Sequence, residues 1–185
     1  MSNEPLPYNP ERQIPSATKP ALRMGAMIAL MLIIYTLILY ITGNANNRYV
    51  NWISYALMIT GLWLGTKNYR DEQLGGTITF GQAYKMSFLT SFFSALIFAV
   101  FLYIYFKFLA RDVMQEMKTI SEQDLLDNPD ISEDQAEMMM NIFNNYVFIP
   151  FSLAFTSILS FSFLGALLSL LVAGMVQRKT ETPTV

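Results

Sequence analysis

The sequence predicts an all-α integral membrane protein with four transmembrane helices and an extracytoplasmic amphipathic helical hairpin between spans three and four. Hydrophobic residues make up 53% of the 185 residues and charged residues only 14%, whereas soluble domains carry about a quarter charged residues. Long uncharged windows recur along the chain, and nine of its 14 acidic residues fall between Asp112 and Glu137. This pattern is typical of a membrane domain that carries one large polar element.

The composition also excludes several kinds of chemistry. The chain has no cysteine and no histidine, so it lacks thiol nucleophiles, disulfides, the commonest general base and the commonest zinc ligand. Its formal net charge of −2 gives no reason to expect nucleic acid as a partner. We therefore expect a protein that is not an enzyme and that uses no cofactor.

The two ends of the chain are predicted to be tails. Residues 1–20 hold five of the eight prolines and few aliphatic side chains, so they cannot bury enough apolar area to offset the entropy of ordering. This segment also carries Glu4 and Glu11 and is too long and polar for the start of a signal peptide. We expect a disordered cytoplasmic tail over residues 1–20 and a short tail over 180–185.

Three uncharged windows predict the first three spans of a membrane domain over residues 21–179. The windows after Arg23, Arg48 and Lys85 contain 24, 18 and 21 uncharged residues, and crossing the hydrocarbon core takes about 20. They place spans at about 24–42, 49–66 and 83–108. The second window is the shortest and contains Asn51, Ser54 and Thr60.

The last uncharged window is too long for one span. It has 40 residues, 138–177, and a single helix of that length would extend about 60 Å, twice the hydrocarbon thickness. Pro150 lacks an N–H group and clashes with the preceding turn. It therefore divides a surface helix, Ser132 to about Ile149, from a fourth span at about 151–176.

Lysine and arginine predict the orientation. Eight of them lie in the tail, in the loop after the second span and at the C-terminus, and four lie on the opposite side. Both termini are thus predicted to be cytoplasmic. Amphipathic rings are expected at the outer membrane interface (Tyr40, Tyr49, Trp52, Tyr103, Tyr105, Tyr146) and at the inner one (Trp63, Tyr69, Tyr84).

The polar segment at about 109–149 is predicted to form the hairpin. The third span is expected to continue beyond the bilayer, with a first apolar stripe at Val113, Met114, Met117 and Ile120. Asn128-Pro129-Asp130 predicts a turn. Ser121 to Asp124 resembles a cap, and Ser132 to Gln135 matches a capping box. A second stripe follows at Met138, Met139, Ile142, Phe143 and Tyr146, so the two helices should pair through apolar faces or lie on the membrane.

The acidic side chains of the hairpin form a candidate interaction surface for a basic protein partner: Glu116, Glu122, Asp124, Glu133, Asp134 and Glu137. The alternative is that they are only the solvated face of the hairpin. A loose divalent-cation site is a further alternative, although the spacing of a calcium-binding EF-hand is absent. The methionines are expected to fill gaps in the apolar stripe, with only Met140 pointing away from it. The alternative is that their thioether groups bind Cu(I).

Small residues mark the faces through which the spans should pack. Gly61 and Gly65 form a G-x-x-x-G pair, and Ser87 to Ala95 supply small residues on the third span. Gly165, Ser169 and Ala173 lie on one face of the fourth span. Such faces let helices approach closely. We expect these candidate helix-packing residues to hold one bundle together, with a homo-oligomer interface as the alternative.

The segment Gly75 to Ser87, GGTITFGQAYKMS, carries a family resemblance. It leads directly into the third span, and an acidic, methionine-containing loop follows. This layout resembles, over roughly residues 20–180, the membrane family catalogued as domain of unknown function 4199, found chiefly in Bacteroidetes. Thr79-Phe80-Gly81-Gln82-Ala83 is its most specific part. The resemblance implies a four-span inner-membrane protein of a Gram-negative cell and transfers no catalytic or binding residue.

The local chemistry of that segment predicts a turn into a helix. Gly75-Gly76 allows a sharp turn, and Thr77 or Thr79 can cap the helix that follows. The functional expectation for the whole chain is an accessory or interaction subunit that presents its acidic hairpin to the periplasm. The alternative is a small transporter or pore, formed as a homo-oligomer. No Asp, Glu, Lys or Arg lies deep inside any predicted span, which argues against an ion pathway.

Overall fold

The computed structural model describes residues 16–178, which form six α-helices. Residues 1–15 and 179–185, with most of the predicted tails, lie outside the described residues. The helices are α1 (Thr18–Ile41), α2 (Arg48–Asn68), α3 (Phe80–Ile104), α4 (Arg111–Leu126), α5 (Glu133–Ile142) and α6 (Pro150–Val176). Single π-helical turns extend α2, α3 and α5, over Tyr69–Gln73, Tyr105–Leu109 and Phe143–Val147.

The four long helices form a bundle with α3 at its centre. Helix α3 packs along α1 and α6 over most of its length, whereas α2 makes fewer contacts with its three neighbours. The core between them is apolar and almost fully buried, and its large members include Leu32, Met58, Leu62, Met86 and Val172. Burial of this shared core holds the helices together in the absence of any disulfide.

Three helices have the length and hydropathy of membrane spans: Thr18–Ile41, Phe80–Leu109 and Pro150–Val176. Their outward surfaces are apolar, and Phe163 on α6 is 71% exposed. Exposed apolar faces of this extent are typical of helices that contact lipid. The chain therefore has the architecture of an all-helical membrane protein. Helix α2 is 21 residues long but more polar than the other three.

The bundle has two distinct ends. At the hairpin end, the α1–α2 loop contacts the start of α4, where Asn46 binds Val113 and Glu116. At the opposite end, called here the termini end, Ile78 and Arg178 pair through their backbones. Helix α2 joins these two ends and runs antiparallel to α1.

Helix α3 begins with a complete capping box. The Thr79 hydroxyl accepts from the Gln82 N–H at 3.4 Å, and the Gln82 side chain accepts from the Thr79 N–H at 3.0 Å. Of the two predicted caps, Thr79 is therefore the correct one. Gly75 and Gly76 have φ of +69° and +90°, which glycine adopts without strain. The predicted turn is confirmed.

Several predicted boundaries were wrong. Helix α1 begins at Thr18, so residues 18–20 are helical and not part of a tail. The third span does not run on as one helix, because Ala110, with φ −115° and ψ 52°, separates its π-helical turn from α4. Ser121 lies inside α4 and caps nothing. The Ser132 capping box, the turn at Asn128–Asp130 and the start of α6 at Pro150 are confirmed.

Two of the rings expected at the membrane interfaces are buried in the protein. Tyr69 and Tyr105 are each only 3% exposed. Tyr105 packs edge-on against Tyr40, with ring centroids 5.7 Å apart. By contrast, Tyr49, Trp52 and Tyr146 are exposed at the hairpin end. The pattern of aromatic residues therefore did not distinguish the rings that point outward from those that pack inside the protein.

Candidate functional site

The hairpin is held together by a small core near its tip. Leu125 of α4 is buried against Ala136 and Met140 of α5, with Ile131 and Phe143 beside them. Ala136 is small, which lets the two helices approach closely. The contact covers only the last turns of α4 and most of α5, so the remainder of α4 is free to pack elsewhere.

Of the apolar stripe predicted for α5, only Met139 and Phe143 pack against the hairpin core. Met140, expected to point away, is 9% exposed, whereas Met138, Ile142 and Tyr146 are 68%, 45% and 70% exposed. These last three are spaced by four residues and lie on the outward face of the helix. The stripe was predicted from the apolar residues of α5 alone, whereas the helix packs on α4 through the face that carries Ala136 and Met140. An apolar row consequently remains outside.

The apolar stripe of α4 packs on the bundle and not on α5. Val113 is 7% exposed and lies in a cluster with Tyr105, Phe106 and Ala110, next to the α1–α2 loop. Met114 and Met117 border the same cluster. Only Ile120, at 41% exposure, lacks such cover. The first half of α4 is therefore a roof over the hairpin end of the bundle.

Polar contacts fasten this roof to the α1–α2 loop. The Asn46 amide donates to the Glu116 carboxylate at 2.8 Å and to the Val113 carbonyl at 3.3 Å. The Tyr40 hydroxyl donates to the Leu109 carbonyl at 3.0 Å. Glu116 is thus engaged by the protein itself and is not part of a free acidic surface.

The other five predicted carboxylates are exposed on the hairpin: Glu122, Asp124, Glu133, Asp134 and Glu137. Within residues 16–178, none of them forms an ion pair. Glu133 and Asp134 occupy the first turn of α5, where the helix dipole favours negative charge. No three metal-binding side chains come together in this described part of the chain. The five residues form a charged surface around the hairpin core.

A cavity of about 400 Å³ lies beneath α4 and is lined by all four long helices. Asn46, Asn51 and Ser54 line it near the hairpin end, and Leu32 and Phe161 line it deeper in the bundle. Its wall is therefore amphipathic. Ligand sites commonly have such a volume and a few polar groups on apolar walls.

A π-helical turn shapes one wall of this cavity. It widens the helix at Tyr105–Leu109, so that the consecutive residues Tyr105 and Phe106 are both buried. The buried hydroxyl of Tyr105 has no hydrogen-bond partner among the described residues. Buried polar atoms almost always have a partner, and single π-helical turns often occur at functional sites. Tyr105, one of the residues that line the cavity, thus has a buried hydroxyl without a hydrogen-bond partner among the described residues.

A groove of about 770 Å³ adjoins the cavity between α2 and α6. Arg48 and Trp52 line it at the hairpin end, and Ile59 and Leu168 line it deeper. Asn51 and Tyr55 line both spaces. Cavity and groove therefore meet along the half of α2 nearest the hairpin end, and α2 packs least of the four long helices.

The predicted helix-packing residues lie at contacts inside the chain. A Cβ at Gly61 would be 2.6 Å from Ile28 of α1, and one at Gly65 would be 3.1 Å from Met24. A Cβ at Gly165 would be 1.7 Å from the Ser91 hydroxyl of α3. Ser169 and Ala173 are fully buried as well. These small faces are occupied by packing between helices of one chain.

Sequence analysis missed a buried arginine at the termini end. Arg70 is 6% exposed, forms an ion pair with Asp71 at 2.6 Å and donates to the Val176 carbonyl at 3.1 Å. The hydrogen bond from Arg70 lowers the pKa of Asp71 below its ordinary value. The adjacent Arg70 and Asp71 could have indicated an ion pair. The sequence gives no indication that Arg70 also binds the Val176 carbonyl of α6.

Comparison with known proteins identifies a family. The family model described as "Protein of unknown function (DUF4199)" matches residues 23–178. Comparisons with curated proteins and with solved structures gave no match. The matched region contains α2 to α6 and nearly all of α1, and it includes the Thr79 capping segment that carries the resemblance. The chain belongs to the DUF4199 family of proteins of unknown function.

Proposed function

We propose that the chain is a non-enzymatic, four-span inner-membrane subunit whose hairpin binds a partner protein on the periplasmic side. The observation that carries this proposal is the state of the hairpin carboxylates. Of the six carboxylates predicted to form the surface, five are exposed and without ion pairs in the described region, on an element that the first half of α4 fastens to the bundle. A fixed charged surface loses little entropy when it binds a partner.

The chemistry of the partner follows from the hairpin surface. Its carboxylates require lysine or arginine opposite them. The outward row of Met138, Ile142 and Tyr146 offers apolar area beside these charges. A partner with a basic rim around an apolar groove fits both features. The methionine in this row adapts to uneven surfaces.

Three features of α2 support a fourth crossing. Its 21 residues extend about 32 Å at 1.5 Å per residue, enough to cross the hydrocarbon core. Asn51 and Ser54 line the internal cavity, so the polarity of the helix is partly directed away from lipid. Lys67 lies over the Trp63 ring at 5.2 Å, at the level where both residues anchor a span.

Four crossings place the hairpin and the chain termini on opposite sides of the membrane. The distribution of lysine and arginine then assigns the termini to the cytoplasm and the hairpin to the periplasm. The family resemblance supports the inner membrane of a Gram-negative cell. The remaining alternative for the hairpin, a purely solvated face, makes no use of its outward apolar row.

Neutralising the five exposed carboxylates of the predicted surface tests the proposal. The variant replaces Glu122, Glu133 and Glu137 by Gln and Asp124 and Asp134 by Asn, and it keeps Glu116 because that residue holds the loop. We expect at least about tenfold lower recovery of the partner on purification in mild detergent, since several charge-assisted contacts are lost. The control is Asp112→Asn, at the base of α4. Unchanged recovery of every co-purifying protein would rule out the hairpin as the binding surface.

The second candidate, a small transporter or pore, has weaker support. The cavity at the hairpin end would serve it, but the core toward the termini end is filled by Met58, Leu62, Met86, Val172 and Val176, each at most 1% exposed. A passage would have to form between copies of the chain. Flux of ions or small solutes into reconstituted vesicles would favour this function over the first.

A further inference from the structure

We propose that the cavity beneath α4 binds one acyl chain of a phospholipid, which enters from the membrane between α2 and α6. The groove between these helices is open to the lipid side, and it shares Asn51 and Tyr55 with the cavity. Helix α2 is loosely packed over its outer half, where Trp52 is 66% exposed. The entrance is therefore a lateral opening in the wall of the bundle.

The charges at the groove fit the phosphate of a lipid. Among residues 16–178, Arg48 is the only charged residue that lines the groove. It is exposed, and it has no ion pair in that part of the chain. It lies at the first turn of α2, at the level of the membrane interface in a four-span arrangement. Arginine binds phosphate oxygens with two parallel hydrogen bonds. Trp52 beside it is suited to the interface.

The interior fits the rest of the lipid. An ester carbonyl accepts hydrogen bonds and needs donors, and the side chains of Asn51 and Ser54 are donors on the cavity wall. Tyr105 also lines the cavity, and its buried hydroxyl has no partner among the described residues. Deeper in the bundle, Leu32, Phe98 and Phe161 form an apolar wall for the chain. The order of groups from Arg48 inward thus matches phosphate, ester and hydrocarbon.

The α4 roof closes this site on the side away from the membrane. Val113 and Met117 cover the cavity, and the bonds from Asn46 hold them in place. The lateral opening is therefore the natural route for an acyl chain. A water-soluble ligand would instead have to displace the roof.

Photolabelling in vesicles tests the proposal. The unsubstituted chain is reconstituted with phosphatidylglycerol that carries a diazirine in one acyl chain, and adducts are mapped by peptide mass spectrometry. We expect adducts on Thr36, Phe98 and Tyr105, which lipid around the bundle cannot reach, in addition to outward residues such as Val100 and Phe155. Adducts confined to outward residues would overturn the proposal.

Matched variants locate the chain and the phosphate. Ser54→Phe fills the cavity and should reduce the inward adducts at least fivefold, whereas Thr60→Phe, an exposed position on the same helix, should leave them unchanged. Unchanged adducts on Val100 and Phe155 verify that each variant is folded.

Arg48→Gln should reduce the inward adducts about fivefold, as loss of one cation near a lipid surface does, and Arg111→Gln should not. Inward adducts that persist in Ser54→Phe and in Arg48→Gln would overturn the site.

Discussion

The contact between Gly165 and Ser91 shows how closely α3 and α6 approach. A Cβ added at Gly165 would lie 1.7 Å from the Ser91 hydroxyl oxygen and 2.6 Å from the Ser91 Cβ. The hydroxyl itself is directed to the Phe161 carbonyl of α6, at 3.4 Å. A single hydrogen atom at position 165 therefore allows the most extensive helix–helix contact of the bundle.

Gly165→Ala should destabilise the protein, because its methyl group has to displace the α3 backbone around Ser91. Overpacking of this kind costs about 1–3 kcal/mol, which thermal unfolding in detergent should report as a lower midpoint. Gly174→Ala is the matched control, since a Cβ at Gly174 has nothing within 4 Å. Equal midpoints for the two variants would show that α3 and α6 are not in contact at Gly165.

The ion pair of Arg70 and Asp71 should make stability depend on pH. The folded-state pKa of Asp71 is lowered by Arg70, so it lies below the unfolded value of about 3.9. The stabilisation is present above the unfolded pKa and is lost as the pH falls through the folded one. Asp71→Asn should consequently lower the unfolding midpoint at pH 7 and have a smaller effect near pH 3.

The neighbouring Glu72 provides the control for this pH dependence. Glu72 is exposed and forms no ion pair in the described part of the chain. Glu72→Gln should therefore leave the difference between the unfolding midpoints at pH 7 and near pH 3 as it is in the unsubstituted protein. If Asp71→Asn and Glu72→Gln altered the pH dependence of the unfolding midpoint equally, the ion pair between Arg70 and Asp71 would not be its cause.

At the scale of single elements, α5 offers a direct check of which face packs on α4. Met138 is 68% exposed and Met140 is 9% exposed, although the two differ by only two positions. Oxidation of methionine follows exposure. We expect hydrogen peroxide to convert Met138 several times faster than Met140, as measured by peptide mass spectrometry. The reverse order would restore the face that the sequence predicted.

The bond between the α1–α2 loop and α4 should control how firmly the roof is held. Asn46→Ala removes the donor to Glu116 and to the Val113 carbonyl, and one such bond contributes about 1 kcal/mol. Amide exchange over residues 114–120 should accelerate about fivefold. Asn141→Ala is the control, because the Asn141 side chain bonds only within its own helix. Equal exchange in both variants would mean that the hydrogen bonds from Asn46 do not hold this part of α4 in place.

The elements could be predicted better than their contacts. Uncharged windows, the proline at 150 and the Ser132 capping box are local signals, and the helices they predict exist. The packed face of α5 depends on the small side chain of Ala136 meeting Leu125, which is a fact about two helices at once. The π-helical turn at Tyr105 and the α6 carbonyl that Arg70 caps are likewise properties of assembled helices. The cavity is lined by several helices, so it depends on how they pack and could not be predicted from the sequence.

For the molecule as a whole, we propose that α2 crosses the membrane. Three helices have the hydropathy of spans and α2 does not, yet α2 connects the hairpin end to the termini end of the bundle. Its polar residues Asn51 and Ser54 face a cavity, which explains why its composition alone gives a weaker signal. The side of the membrane reached by the hairpin depends on this helix.

Labelling of single cysteines in intact cells tests that claim most directly, because the chain has no cysteine of its own. Asn128→Cys lies at the tip of the hairpin, and Gln73→Cys lies in the loop after α2; both positions are exposed. With the outer membrane made permeable, a maleimide that cannot cross the inner membrane should label Asn128→Cys at once. It should label Gln73→Cys only after lysis. Labelling of both positions before lysis would contradict the crossing of α2, and labelling of Gln73→Cys alone would contradict the orientation.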